Sequence, residues 1–346
     1  MSSLSFPIRL LLVGVGNVGR RFLELLTKKR DALRSRFGLT LTLVGVADST
    51  GAATYSSGLD VQEVVRLKAA GLGVAEYAGA GRPGVTALEM AETVSADILL
   101  AAAPANLEDG QPGLGCIEKA LHRCMHVVTA DKVPLVLAFP RLRALAQEHG
   151  VQLRFSPTVG GGLPMINIGQ RDLAPAEIDR LEGILNLTTN YMLTRMVEGE
   201  SYARALAQAQ AAGHAEADPR LDTEGWDAAC KLVILAHSVL GYPATLAEVE
   251  REGITHLTVE ALQQAAAAGK RIKPLAIAER EGERYRLRVG PVELPAGHPL
   301  AVLGAEQMGI VYYTDINGQV AASVMEESPT PTAAALLRDI VGILRP

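Results

Sequence analysis

The chain has 346 residues, 48% of them hydrophobic and 21% charged, which is enough for two domains with their own cores and unlike a disordered segment. Its 38 acidic and 33 basic residues give a net charge of -5 with no basic run, which argues against a nucleic-acid partner or an anionic membrane and for small molecules. No apolar run approaches the roughly 20 residues that cross a bilayer, the apolar N-terminal stretch carries Arg9 and runs into a glycine turn instead of a cleavage site, and Cys116, Cys124 and Cys230 make neither a disulfide framework nor a CxxC pair, so a reducing cytoplasm is expected.

Residues 8–15 are apolar or glycine apart from Arg9, the pattern of a strand buried on both faces. A helical pattern follows from Asn17 to about Phe37, closed by Gly38, and "LTLTLVGVA" (39–47) reads as a second strand. "STGAATYSSGLD" reads as a polar loop before an amphipathic helix near 61–70. "ADILLAAAP" is another buried strand, "GLGCIEKALHRC" a helix, and "HVVTADKVPLV" a strand that leaves through a loop at Thr129 to Pro134. Strands alternating with helices predict a doubly wound parallel sheet over residues 1–150, an α/β domain of Rossmann type. After Gly150 the character changes. A glycine cluster, "VGGGLP", precedes a strand-like "LEGILNLT", two helices and short strands at "HLTVE", "RYRLRVG" and "GIVYYTD", a second, α+β domain over 151–330. The tail "PTAAALLRDIVGIL" has helical period, and a helix over about 330–346 is expected to pack back on the first domain.

Gly14, Gly16 and Gly19 form G-x-G-x-x-G between the first strand and its helix, where the turn, the close backbone approach and the helix N-terminus suit a pyrophosphate. Asn17 and Val18 lie inside that turn, and Asp48 ends the second strand where a ribose-binding carboxylate belongs. With no lysine or arginine in 49–65, Asp48 predicts NAD over NADP, although Arg66 and Lys68 come within reach if the intervening loop folds back. Lys132 follows a strand carboxyl end, where open α/β sheets bind ligands. In "EADPRLDTEGWDAACKL" (216–232) five carboxylates crowd the positions ahead of Lys231, and the chain then runs into "VILAHSVLG". A helix over Thr223 to Leu240, with Asp222 as N-cap and Gly241 then Pro243 as stop, would set Asp227 and Lys231 four apart on one face of an otherwise apolar helix. A lysine moved out of water loses basicity and an adjacent carboxylate restores it, so such a pair can hold a proton donor. His122 and His126 flank Cys124, but no second ligand cluster accompanies them and no metal site is assigned.

The strings "VVTADKVPL", "TVGGGLPMIN", "GILNLTTNYMLTRM" and "AEADPRLDTEGWDAACKLVILA" resemble the homoserine dehydrogenase family, in order from Gly14 to about Asp339, in its short form without a C-terminal regulatory domain. The resemblance implies NAD(P)-dependent interconversion of L-homoserine and aspartate 4-semialdehyde, a catalytic second domain and a homodimer built partly from it. It also implies that Lys231 is the proton donor, that Lys132 lies by the nicotinamide and substrate, that Ala103 and Pro104 fall near the nicotinamide, and that Glu216, Asp222 and Asp227 line the substrate pocket, with Thr189 and Tyr191 as further substrate-binding candidates.

Several positions depart from the family pattern. Asp131 stands where asparagine usually precedes the lysine, Val133 replaces a glycine after it, and Leu187 replaces the glycine of N-G-T-x-N-Y. Ala103 and Ala105 replace the threonines of T-P-T-N, and "MEESPTPTAAALL" lacks glycines usual before T-A. Ser156 occupies the place of a glutamate that some members use for a monovalent cation, which counts against such an ion here. A related dehydrogenase of another small hydroxy amino acid or amino-acid aldehyde, or a dinucleotide-binding sensor without turnover, stand as alternatives; the retained Lys132, Asp227 and Lys231 argue against the sensor.

Overall fold

The computed structural model describes residues 7–104 and 106–345, so Ala105 lies outside the described residues. The chain divides into two compact units, one made of residues 1–162 and 328–346, the other of 163–327.

In the first unit the chain order is β1 (Ile8–Val13), α1 (Asn17–Lys28), α2 (Arg30–Phe37), β2 (Leu41–Asp48), β3 (Gly51–Thr54), α3 (Val61–Ala69), β4 (Gly81–Pro83), α4 (Ala87–Thr93), β5 (Ile98–Ala101), α5 (Gly113–His122), β6 (His126–Thr129), α6 (Val133–Glu148) and β7 (Leu153–Arg154). The strands lie in the order β4-β3-β2-β1-β5-β6-β7. From β2 to β7 the neighbours are parallel, with Leu10 of β1 between Leu43 and Ile98, while β3 and β4 add an antiparallel edge. Leu10, Leu11 and Leu12 are fully buried, as a central parallel strand covered on both faces requires. Two readings change. The single helix expected to Phe37 breaks at Lys29, whose ψ of 2° leaves the helical well, and Gly38 at φ +66° closes α2. The stretch expected as a polar loop contains β3, whose Gly51, Ala52 and Ala53 are small and buried, a signal too weak for a strand pattern.

The second unit runs α7 (Met165–Asn167), β8 (Ile178–Ile184), α8 (Leu187–Val197), α9 (Tyr202–Ala211), α10 (Arg220–Thr223), α11 (Trp226–Ser238), β9 (Val249–Arg251), α12 (Val259–Ala267), β10 (Lys270–Glu281), β11 (Arg284–Pro295), β12 (Gln307–Thr314) and β13 (Gly318–Met325). Its sheet has the order β13-β12-β8-β10-β11-β9, built on the long hairpin β10–β11, and α8, α11 and α12 lie against β10. The expected strand "LEGILNLT" ends at Ile184, because Asn186 caps α8 by accepting a hydrogen bond from Thr189 N. "HLTVE" is not a strand: Thr258 caps α12 through Ala261 N, so the local cap overrides the β-branched pattern. The final helix, α13 (Thr330–Leu344), belongs to the first unit and packs Leu336, Ile340 and Ile343 with Phe22, Leu23 and Leu26 of α1 in one core. Among the described residues no helix is long and apolar enough to cross a membrane.

Candidate functional site

In the first unit the glycine turn joins β1 to α1 at the carboxyl end of the parallel strands. Gly14 has φ +91° and a Cβ there would overlap the carbonyl of Ala102, while a Cβ on Gly19 would overlap the carbonyl of Gly14, so both positions admit only glycine. Gly16 is the N-cap of α1, faces open space, and leaves the first turn at Asn17, Val18 and Gly19 without a side-chain cap. Uncapped N–H groups at the positive end of a helix, beside an open glycine, fit a pyrophosphate.

Asp48 ends β2 with its side chain 9% exposed. Its Oδ1 accepts from Thr50 N at 2.9 Å and Thr50 Oγ1 at 2.6 Å, and its Oδ2 accepts from Lys68 Nζ at 2.7 Å and Val74 N at 3.1 Å. Burial would raise this carboxyl, but the Lys68 and Thr50 side chains and the two backbone donors outweigh it and hold it below the usual carboxylate range. The loop after β2 thus folds back and brings Lys68, of α3, onto the acid, whereas Arg66 pairs with Glu63.

Ala103 and Pro104 follow β5, half-buried and exposed respectively. Lys132 lies at the N-cap of α6, just past β6, and is half-buried. Its neighbour Asp131 is 3% exposed, accepts from Val133 N at 3.1 Å, and has its carboxyl pushed up to about 6 by burial, against the pull of Val133 N–H and the Lys132 charge. Ser156 is also buried: its N–H and hydroxyl donate to Asp339 of α13, at 2.9 and 2.6 Å. Among the described residues no cluster of three or more His, Cys, Asp or Glu could hold a metal.

The second unit assembles the acids and the lysine. The helix expected from Thr223 begins later: α10 ends at Thr223, Gly225 turns the chain at φ +83°, and α11 starts at Trp226 with Gly225, not Asp222, at its N-cap. The glycine break moves Asp222 onto a separate short helix and sets Asp227 in the first turn of α11, where the helix dipole favours an anion. Lys231 Nζ donates to Asp227 Oδ2 and to the Leu185 carbonyl, both at 2.7 Å. Asn186 Nδ2 donates to Asp222 Oδ1 at 2.6 Å and to Asp227 Oδ2 at 2.8 Å. Asp222 is raised above its ordinary value, first by burial and then by the Asp227 charge, while Asn186, Lys231 and Thr188 pull it back.

Thr189 joins this group through Asn186, to whose Oδ1 its N–H and hydroxyl both donate at 2.9 Å. Tyr191 packs away from it, its ring against His214 and the Arg195 guanidinium. Glu216 is exposed and anchored through its backbone carbonyl, which accepts from Gln210, so its carboxylate is not part of the Asn186 cluster. Reading the sequence alone passed over Asn186; the signal was a cap residue directly after an apolar strand, pointing back along the chain from the acids.

The family model described as Homoserine dehydrogenase matches residues 164–341. An NAD(+)-dependent homoserine dehydrogenase of Pseudomonas canavaninivorans is 35% identical, over 97% of this chain and 96% of that one. A putative homoserine dehydrogenase from Archaeoglobus fulgidus superposes with a TM-score of 0.86 at 36% identity, over 97% of this chain and 99% of the other. A hyperthermophilic archaeal homoserine dehydrogenase in complex with NADPH superposes with a TM-score of 0.84 at 26% identity, over 98% of each chain. Matched in sequence along nearly its whole length and in both units by the family's structures, this chain belongs to the homoserine dehydrogenase family.

Proposed function

We propose that this protein is an NAD(P)-dependent oxidoreductase that interconverts L-homoserine and L-aspartate 4-semialdehyde, a step of aspartate-family amino-acid biosynthesis that leads towards threonine and methionine. The observation that carries the reading to residues is the largely buried Lys231–Asp227 pair at the head of α11, its lysine partly open to solvent, bridged to Asp222 by Asn186. Lys231 gives a proton to the substrate oxygen as the aldehyde becomes an alcohol, and takes it back in the reverse direction. Asp227 holds that ammonium in place. Asp222 and Asp227 suit the α-ammonium group common to both substrates, and Thr189 reaches them through Asn186; Glu216, exposed and outside this cluster, and Tyr191, on the same helix as Thr189, are the further substrate-binding candidates. Lys132, at the N-cap of α6 in the first unit, is the second lysine assigned to the reaction.

The dinucleotide, when bound, supplies or accepts the hydride. Gly14, Gly16, Asn17, Val18 and Gly19 would hold its pyrophosphate, and Ala103, Pro104 and Lys132 its nicotinamide end. Residues 1–150 with the C-terminal helix then form the dinucleotide-binding domain, and 151–330 the catalytic and dimerisation domain. NAD is preferred to NADP, because the Asp48 carboxylate repels a 2′-phosphate; the Lys68 ammonium offsets part of that charge, so the preference is several-fold and not absolute. Ser156, engaged with Asp339, gives no support to a monovalent cation. The protein acts as a cytoplasmic homodimer assembled through the second unit; the support is that β13 is an edge strand with alternate residues exposed.

The decisive experiment follows reduced-nicotinamide absorbance with L-homoserine and either cofactor, beside a panel of other hydroxy amino acids. Turnover highest with homoserine supports the reading, and turnover confined to another hydroxy amino acid overturns it. Sedimentation velocity tests the dimer, which a single monomeric boundary at micromolar concentration would exclude.

A further inference from the structure

Asn186 is 5% exposed and uses its whole hydrogen-bonding capacity on four groups. Its carbonyl oxygen caps α8 by accepting twice from Thr189, and its amide has two hydrogens, one on Asp222 and one on Asp227. Those acids come from different helices separated by the Gly225 turn, so no local geometry obliges them to meet. The preceding residue contributes as well, since the Leu185 carbonyl accepts from Lys231 Nζ. Two consecutive residues at the β8–α8 junction therefore hold both ends of the acid–base pair. A serine could cap the helix equally but has one hydroxyl hydrogen, and an aspartate has no amide donor and would add a third charge.

We propose that Asn186 is a positioning residue of the reaction: by donating to both carboxylates at once it holds Asp222 and Asp227 side by side, so that the cluster offers two acidic side chains to an ammonium-bearing substrate and a fixed partner to Lys231. This rests on the assignment of that cluster to substrate. The charged groups acting on Asp222 are Asp227 and Lys231, both of α11; α8 presents the neutral Asn186 and Thr188. In the 212–219 turn, the carbonyl of His214 accepts from Thr188 Oγ1, its imidazole lies 3.8 Å from Glu306, and Glu216 is exposed. Burial and mutual repulsion both work to protonate Asp222, and Asn186 heads the groups that oppose them.

Asn186→Ser retains a good N-cap and replaces two amide hydrogens by a single hydroxyl hydrogen, which can no longer serve both acids at once. The expected result is a fall in kcat/KM for homoserine of about tenfold to a hundredfold, the worth of a hydrogen bond to a charged group. The acidic limb of the kcat/KM profile, which reports free-enzyme groups, moves to higher pH. A limb and a kcat/KM both left in place would reduce Asn186 to a helix cap and overturn the proposal. Asp222→Asn tests it without touching Asn186: it removes the carboxyl that burial and its neighbour raise, and the acidic limb moves to lower pH, whereas an unmoved limb excludes Asp222 from the group that Asn186 serves. Carboxyl titration by NMR of 13C-aspartate-labelled protein, assigned with Asp222→Asn, reads the same shifts without turnover. An enzyme inactive on homoserine would overturn the proposed substrate, and the titration would still decide the role of Asn186.

Discussion

Two lysines of the second unit, Lys231 and Lys273, are both withdrawn from water and differ in what receives their charge. Lys231 of α11 retains 17% side-chain exposure and donates to a carboxylate and a carbonyl. Lys273 of β10 is 5% exposed, and its hydrogen-bond partners are neutral: Asn190 Oδ1 at 3.1 Å and the Leu303 carbonyl at 2.7 Å. Burial, helped by the nearby Arg271 charge, pushes Lys273 down to about 8. Depressed basicity alone would mark Lys273 for acid–base work. Its surroundings argue otherwise, because Asn190 also donates to the carbonyls of Gly304 and Gln307, making Lys273 part of a strap that ties α8 and β10 to the 303–307 turn. A shifted titration marks burial; a carboxylate partner with residual access marks a group available for proton transfer.

The widest separation between the two lysines is expected on alanine substitution. Lys231→Ala should lower kcat by about 10²- to 10⁴-fold with nearly unchanged cofactor affinity, and a variant retaining more than roughly a tenth of wild-type kcat would break the assignment. Lys273→Ala should leave kcat of the same order and lower the unfolding free energy by about 2 to 4 kcal/mol, since it strands two buried acceptors. If chemical denaturation found it as stable as wild type, the strap would carry no weight.

The carboxylate side of the comparison is tested by Asp227→Asn, which keeps shape and removes charge. The KM for homoserine should rise by about tenfold or more. An unchanged KM would return the pair to an ordinary helix i,i+4 contact.

For Lys273 the sign of the pH effect is determined by its lowered value. Below pH 8 both folded and unfolded forms are charged and the cost of burial is fully present; between about 8 and 10.5 the folded lysine loses its proton first, and stability rises. The difference in unfolding free energy between wild type and Lys273→Met should therefore shift in favour of wild type by up to about 3 kcal/mol across that window. A difference that stays flat with pH would mean that Lys273 is not held at reduced basicity.

A third pair, Lys68–Asp48 in the first unit, sharpens the contrast with the smallest effect. Wild type should show a several-fold higher kcat/KM with NAD⁺ than with NADP⁺, fading in Asp48→Ser. A several-fold preference for NADP⁺ in the unmodified protein would sink the idea.

What could be read along the chain was whatever depends on neighbours in sequence. The glycine turn was legible because Gly14, Gly16 and Gly19 serve one local strand-turn-helix connection, and the Asp227–Lys231 contact because four residues on a helix always meet. The parallel sheet followed from alternating strands and helices, and α13 from its apolar period. Where one helix was expected from Thr223, a single left-handed glycine at 225 ended one helix and began another, which separated Asp222 from Asp227 in the backbone before Asn186 reunited them. The sequence by itself determined which residues carry charge and which short segments take helical or extended form, because propensity, capping and periodicity act over a few residues. Only the tertiary structure decided that Lys68 lies on Asp48, 20 residues away, that Asn186 joins acids 36 and 41 residues further on, and that Lys273 is stranded among neutral partners. Those pairings depend on burial, where a polar group must find a partner in space whatever its distance along the chain.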